Sequence, residues 1–436
     1  MLIEVSIGEA LDKLNILELK LERIKQEERL INVRKELEHY QEVLIYKDKY
    51  ALQYKLLNFI NSKIWELTDI IKSLSVNDPT YATAAYNIFE LNQGRFRMKN
   101  IINLSEVGMK EQKSYSESTL TLIIDNLEFF YSKLSVINYY STKYDHISII
   151  TPFPIVQTLF NTPNYSYIET APEHTQNLSE IELPLHCDPK VFDFPVINYI
   201  AGGLLGDFIH QLSIINEKFR QTGRKGNLYI ANIGDNFRFG LDKAYEDTRN
   251  IVLAQRYIST YAIHSGEPVD INLSAWRDTP LVFKANWKIV FNPLYDIDWG
   301  SHKWLNLPTL PYYRDTVIIS YTPRRPIKET NAFLGLKGRP VLFLTFDLNE
   351  YLAFSKLTST NFDCLKLNSL EQMAAIINSC SLFIGNLTAP LTLALAVHKK
   401  CIVLFNNDVE PSSMRYLNLY DDYSYVEYDG IDALTC

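Results

Sequence analysis

The chain has 436 residues, 47% apolar and 13% aromatic, with 51 acidic side chains against 43 basic ones and a formal charge of −8. That apolar content excludes wholesale disorder, and the mildly acidic balance without a basic block argues against nucleic acid as the main partner. At roughly 150 residues per domain the length predicts two to four domains.

The five cysteines are widely spaced, with no CxxC pair, which fits a reduced compartment and excludes a disulfide framework or a cysteine zinc site. The N-terminus MLIEVSIGEALDK has acidic residues where a signal peptide needs a basic region and an apolar core. One uncharged stretch, Gln372 to Val397, is long enough to span a bilayer. Its Asn378, Ser381, Asn386, Thr388 and Pro390 read instead as helix, strand, loop and helix. The expected compartment is the cytosol.

In chain order, Ser6-Ile7-Gly8-Glu9 is a capping-box pattern. Apolar residues follow at Ile7, Leu11, Leu14, Leu17, Leu21 and Ile24, with helical spacing. Further helices are predicted over Leu52 to Leu74 and from about Tyr81 to Ile102. Residues 1–115 therefore read as a helical hairpin or bundle that packs on the rest or forms a homo-oligomer. From Ser118 the pattern changes to short β-branched or aromatic runs at 120–124, 147–151 and 165–168, with one helix over Leu127 to Asn138. Residues 116–190 are expected to be a small α/β module ending in a polar, Pro-containing linker over 170–190.

After Pro195 strands and helices alternate. Val196–Ile200 is a strand, Ala201 to Gly206 a glycine-rich turn, and Asp207 lies on the first turn of a helix whose apolar face is Phe208, Leu212, Ile215 and Phe219. Asn227–Ala231 is the next strand. A second series follows, with strands at 316–320, 340–345, 363–367, 381–384 and 400–405 and helices near 369–379 and 388–397. Near-continuous apolar strands alternating with helices imply parallel, doubly wound sheets. The expected fold class is α/β: two Rossmann-like domains, 191–310 and 311–436, with a ligand cleft between them and the helical region in front.

Glycine makes up only 16 of 436 residues, about half the usual ~7%. Yet Gly202, Gly203 and Gly206 fall within five positions, between a strand and a helix. There they either let the backbone approach an anion at the helix start or simply form a tight turn. The approximate dinucleotide fingerprint is not completed, because the next strand ends in Ala231-Asn232 without a ribose-binding acid. Asp207 is either a helix cap or a base that accepts a proton from a hydroxyl nucleophile.

The loop Ser320-Tyr321-Thr322-Pro323-Arg324-Arg325-Pro326-Ile327-Lys328 follows a strand's carboxyl end, with cations and a hydroxyl suited to a diphosphate. The alternative is a solvated basic loop. Gly385-Asn386-Leu387-Thr388 is a second strand–helix junction, which would point backbone N–H groups and the Thr388 hydroxyl into the same cleft. Asp296-Ile297-Asp298 matches a metal-binding DxD tripeptide but reads as an ordinary loop, and the histidines have no ligand spacing, so no metal site is assigned. No GxSxG or P-loop is present.

The segments INYIAGGLLGDFIHQLSII and SLFIGNLTAPLTLALAVHKKCIVLF resemble the GT-B glycosyltransferases of family 9, the ADP-heptose:lipopolysaccharide heptosyltransferases. The stretch SIGEALDKLNILELKLERI, with LNQGRFRMKNIIN further on, resembles an uncharacterised bacterial helical domain found in polysaccharide gene clusters. The first resemblance implies Asp207 as general base. It also implies a donor grip from Thr322, Arg324, Arg325 and Lys328, with Asn386, Leu387 and Thr388 standing where the family has Asp-Thr/Ser-Gly. The expected activity is metal-independent sugar transfer, without a cofactor, from a nucleotide-diphosphate sugar to a glycan or lipid-linked saccharide in surface polysaccharide assembly. A catalytically degenerate module that binds glycans or proteins is the alternative from another class. A metal-dependent enzyme using Asp296 and Asp298 is the other.

Overall fold

The computed structural model describes residues 5–108, 117–282, 285–327, 332–336, 338–404 and 425–428. The chain divides into two compact units, Met1–Pro195 with Gln221–Gly223, and Val196–Arg220 with Arg224–Cys436.

The first unit opens with helices α1 (Ile7–Arg23), α2 (Glu27–Leu37), α3 (Leu44–Lys49), α4 (Ala51–Ser73) and α5 (Pro79–Val107). Ser6 Oγ accepts the Glu9 N–H at 3.3 Å, so the expected cap forms, while the Glu9 carboxylate pairs with Lys99 at 2.7 Å. Asp78 caps α5 and Gly108, at φ +66°, ends it, which carries that helix well past the predicted Ile102. Leu11, Leu14, Leu57, Ile60, Met98 and Ile102 form the core. Within it Asp12, fully buried, accepts from the Arg95 guanidinium and from Asn61 Nδ2. A buried carboxylate needs such partners. Helices α2 and α3 lie between the individually predicted helices, inside the region read as helical.

The same unit carries a wholly parallel sheet of order β3-β2-β1-β4, made of β1 (Thr119–Ile123), β2 (His146–Ile150), β3 (Tyr165–Tyr167) and β4 (Thr175–Asn177). Two expectations are corrected here. The predicted single helix over 127–138 is two, α6 (Leu127–Ser132) and α7 (Leu134–Ser141), broken at Lys133. The Lys133 ammonium donates to the Ile181 carbonyl and pairs with Glu182. The stretch read as a linker holds the polar edge strand β4 and a turn of 3-10 helix, Leu178–Glu180, after α8 (Pro154–Leu159) and before α9 (Pro189–Phe192). Three polar residues pairing along one edge leave no hydrophobic alternation to detect.

The second unit contains two further parallel sheets. The first has order β7-β6-β5-β8, from β5 (Ile197–Ala201), β6 (Gly226–Ile230), β7 (Ile258–Ile263) and the two-residue β8 (Ile271–Asn272). Its helices are α10 (Leu205–Thr222), α11 (Leu241–Leu253) and α12 (Trp287–Tyr295). The second has order β11-β10-β9-β12-β13-β14, from β9 (Val317–Ser320), β10 (Val341–Thr345), β11 (Asp363–Lys366), β12 (Leu382–Asn386), β13 (Cys401–Leu404) and β14 (Tyr425–Tyr428). Helices α13 (Leu348–Thr358), α14 (Leu370–Ser379) and α15 (Ala389–Ala396) connect these strands. Strand β9 is buried at every position, and Val317, Ile319, Phe343, Phe354, Ile384 and Leu404 form the core of this half. The α/β class, with two Rossmann-like sheets that follow a helical region in the chain, is therefore present. No described helix is long and apolar enough to cross a membrane.

Both sheets of this unit reverse their winding once, between β5 and β8 and between β9 and β12. In an open parallel sheet the crevice beyond the strand carboxyl ends at such a reversal is where ligands bind. The two reversals therefore mark the loops to inspect.

Candidate functional site

At the first reversal the chain leaves β5 through Gly202 and Gly203, the latter at φ +98°, and enters α10. The buried Gln211 side chain clasps this turn, accepting the Gly202 N–H at 3.3 Å and donating to the Gly202 carbonyl at 3.1 Å. A Cβ at Gly202 would lie 2.3 Å from the Ala231 carbonyl, and one at Gly203 would lie 2.5 Å from Arg277 Nη2. Gly234, in the loop after β6, makes the same room, since its Cβ would meet Arg277 Cδ at 2.4 Å. The side-chain space at these glycines is filled by protein: Gly202 lets the turn pack on Ala231 and Ile233, while Gly203 and Gly234 seat an arginine.

That arginine follows β8 in the 3-10 turn Ala275–Asp278. Its guanidinium carbon lies 4.2 Å above the Trp276 ring, and its Nη2 donates to Asp207 Oδ2 at 2.6 Å. Arg277 Nη1 is buried without a hydrogen-bond partner. Asp207 is thus aimed at the loop after β8 from the first turn of α10. Burial raises its pKa to about 6, against the pull of Arg277, with Asp235 adding to the rise and Arg325 opposing it. A carboxylate titrating near neutrality at a sheet reversal suits a general base.

At the second reversal the loop after β9 keeps Tyr321 and Thr322 buried and exposes Arg324. Asn386, at the end of β12 and 1% exposed, donates Nδ2 to the Thr322 carbonyl at 2.8 Å and to the Arg325 carbonyl at 3.0 Å. Its amide is therefore spent on holding the cationic loop, and its Oδ1 is buried without a partner. Leu387 and Thr388 are half-buried at the start of α15, with the Thr388 hydroxyl donating to the Asn386 carbonyl at 3.2 Å. Lys328 lies outside the described residues.

The two reversals meet. Gly206, on α10, would place a Cβ 3.3 Å from Thr392 Oγ1 and 3.7 Å from Ala389, both on α15. One turn beyond Asp207, the buried His210 contacts Thr392 at 3.3 Å and packs against the rings of Trp287, Trp299 and Trp304. Burial depresses its pKa to about 3, so it is a neutral packing group at physiological pH. The structure thus brings together Asp207, Gly206 and the α15 start with the Thr322–Arg325 loop clasped beside them.

Arg277 and the His210–tryptophan cluster were not anticipated from the sequence. Asp296 and Asp298 are both exposed. Asp296 ends α12 at φ +50°, where its carbonyl accepts from Lys218 at 3.0 Å. Among the described residues no three His, Cys, Asp or Glu side chains converge into a metal-ligating group.

Comparison with known proteins adds a match at the N-terminus. A model of a family of unknown function, DUF6165, matches residues 1–125. No curated protein matches the chain. Among solved structures, the glycosyl transferase family 9 protein of Veillonella parvula DSM 2008 is similar with a TM-score of 0.36 and 11% identity, over 55% of this chain and 88% of that one. The E. coli heptosyltransferase WaaC with ADP is similar with a TM-score of 0.38 and 12% identity, over 53% and 92%. The UDP-GlcNAc 2-epimerase of Methanocaldococcus jannaschii is similar with a TM-score of 0.23 and 12% identity, over 72% and 90%. These likenesses are weak, and the fold rests on the strand orders and registers above.

Proposed function

We propose that the second unit is a metal-independent glycosyltransferase that takes a nucleotide-diphosphate sugar and glycosylates a hydroxyl of a glycan or lipid-linked saccharide, in the cytosol, during surface polysaccharide assembly. The observation that supports it most is the meeting of two sheet reversals in one unit. One carries a carboxylate with a pKa of about 6, and the other carries a clasped loop with two arginines. In this reading Asp207 takes the acceptor hydroxyl proton as the oxygen attacks the anomeric carbon. The bond from that carbon to the diphosphate oxygen breaks, and Arg324, Arg325 and the α15 start meet the charge on the leaving diphosphate.

One observation favours a second reading, a binding module without turnover. Asp207 is already paired with Arg277 at 2.6 Å, and that charge lowers the carboxylate's affinity for a proton. In that case the helical region is the assembly module.

Calorimetric titration of nucleoside diphosphates tests the donor site common to both readings. Arg324→Ala and Arg325→Ala are each expected to weaken binding by about 1.5–3 kcal/mol, the range for hydrogen bonds to charged groups. Unchanged affinity in both variants removes this loop from the site. Transfer assayed with and without EDTA tests metal independence, and activity restored only by manganese overturns it.

A further inference from the structure

The loop after β6, residues 232–240, is tied down at several points yet presents an aromatic ring to solvent. Its start packs against the glycine turn, where a Cβ at Gly202 would touch Ile233 at 2.6 Å. Gly234, at φ +77°, lies against the Arg277 side chain. Phe237 is buried and meets Phe208, the neighbour of Asp207, with ring centroids 6.1 Å apart. The Gly240 N–H donates back to the Phe237 carbonyl at 3.0 Å and closes the loop onto α11. Between these anchors Phe239 remains 74% exposed, and the Arg238 guanidinium stacks 5.0 Å from its ring centroid.

The cations of the other sheet feel the charge on this lip. The Arg324 guanidinium is destabilised in its charged form first by partial desolvation and then by the charges of Arg238 and Arg325, with Glu350 acting the other way. The charges of Arg238, Arg324 and Arg325, drawn from two sheets, thus act on one another, and a polyanion between the two loops would meet cations from both. An exposed ring beside that cluster can stack on a flat heterocycle.

We propose that the 232–240 loop is the second wall of a nucleoside-diphosphate site, with Arg238 sharing the diphosphate with Arg324 and Arg325 and Phe239 stacking on the nucleobase. This rests on the donor-site reading above and extends it to residues of the β7-β6-β5-β8 sheet. Arg238 and Phe239 are both exposed, so Arg238→Ala and Phe239→Ala are expected to melt like wild type.

Calorimetry of the full chain with ADP, UDP, GDP and inorganic pyrophosphate decides it, with Arg325→Ala as comparator. Arg238→Ala is expected to weaken both pyrophosphate and the preferred nucleotide at least tenfold. Phe239→Ala is expected to weaken the nucleotide roughly five- to a hundredfold, the span of one base stack, and to leave pyrophosphate unchanged. Wild-type affinities in both loop variants, with Arg325→Ala impaired, overturn the second wall and leave the donor site standing. Equal losses of nucleotide and pyrophosphate in Phe239→Ala overturn the stacking role. No binding of any of the four probes to the wild-type chain overturns the wall and the donor site together.

Discussion

The two sheet reversals of the second unit are alike in sequence and unlike in chemistry. Each is an apolar strand, a glycine-containing junction and a helix start. At the β5–α10 junction the room left by Gly203 and Gly234 is occupied by Arg277, which holds the carboxylate of Asp207. At the β12–α15 junction the buried side chain is a neutral amide, and Asn386 uses it to fasten the backbone of the facing loop. One junction stores charge. The other stores geometry and leaves the charge to the guanidinium groups outside it. A glycine junction thus marks where a site is built, while the residues that fill it decide what the site does.

The largest effect that would break this contrast comes from Asp207→Asn. Transfer is expected to fall by roughly two to four orders of magnitude, the usual share of a general base. Stability at neutral pH is expected to change little, because relief of the buried carboxylate charge is offset by the Arg277 guanidinium left without its counter-charge. Transfer at the wild-type rate would show that the charged junction is only structural.

Next in size is Gly203→Ala, which forces a side chain onto φ +98° and against Arg277 Nη2. Urea unfolding is expected to show a loss of about 1–3 kcal/mol. A silent substitution would mean that Arg277 does not depend on this seat. At the other junction, Asn386→Ala removes two hydrogen bonds to loop carbonyls and is expected to cost about 2 kcal/mol at roughly 1 kcal/mol each. Nucleoside-diphosphate affinity should weaken with it, since the Arg325 backbone loses its clasp. Lost stability with unchanged affinity would separate the clasp from the site.

Much of this architecture is legible in the sequence because β9, β10, β12 and β13 are short apolar runs ended by turn residues. Asp207 and the Thr322–Arg325 loop stand out by their places after such runs. Arg277 does not, because its strand, β8, is two residues long and too short to show a period. Trp287, Trp299 and Trp304 lie 77 or more positions after His210 in the chain, and no local pattern says that they converge on it. Asn386 was legible as a junction residue but not as a clasp, since its partners are backbone carbonyls more than 60 positions away. The strand β4 was missed for the reason that hides any short polar edge strand.

The effect most specific to the charged junction is one of pH. Asp207 titrates near pH 6 in the folded chain and at an ordinary carboxylate value, near 4, when unfolded. Between these values the folded state holds a proton that the unfolded state has released, so this residue's contribution to stability falls as pH rises from about 4 to about 6. One proton limits the slope to about 1.4 kcal/mol per pH unit. Hydrogen-bonded carboxylates such as Glu267, held at about 2 mainly by the Ser265 hydroxyl and N–H, act in the opposite sense at lower pH. The contribution is therefore to be measured as the difference between wild type and Asp207→Asn in urea unfolding across that window. Wild-type kcat/KM should rise through pH 6 over the range in which this stability term is being lost, because the base works only after it has lost the proton that favours the fold. A difference curve flat from pH 4 to 6 would mean that Arg277, and not burial, sets the charge of Asp207, and the contrast between the two junctions would then be one of geometry alone.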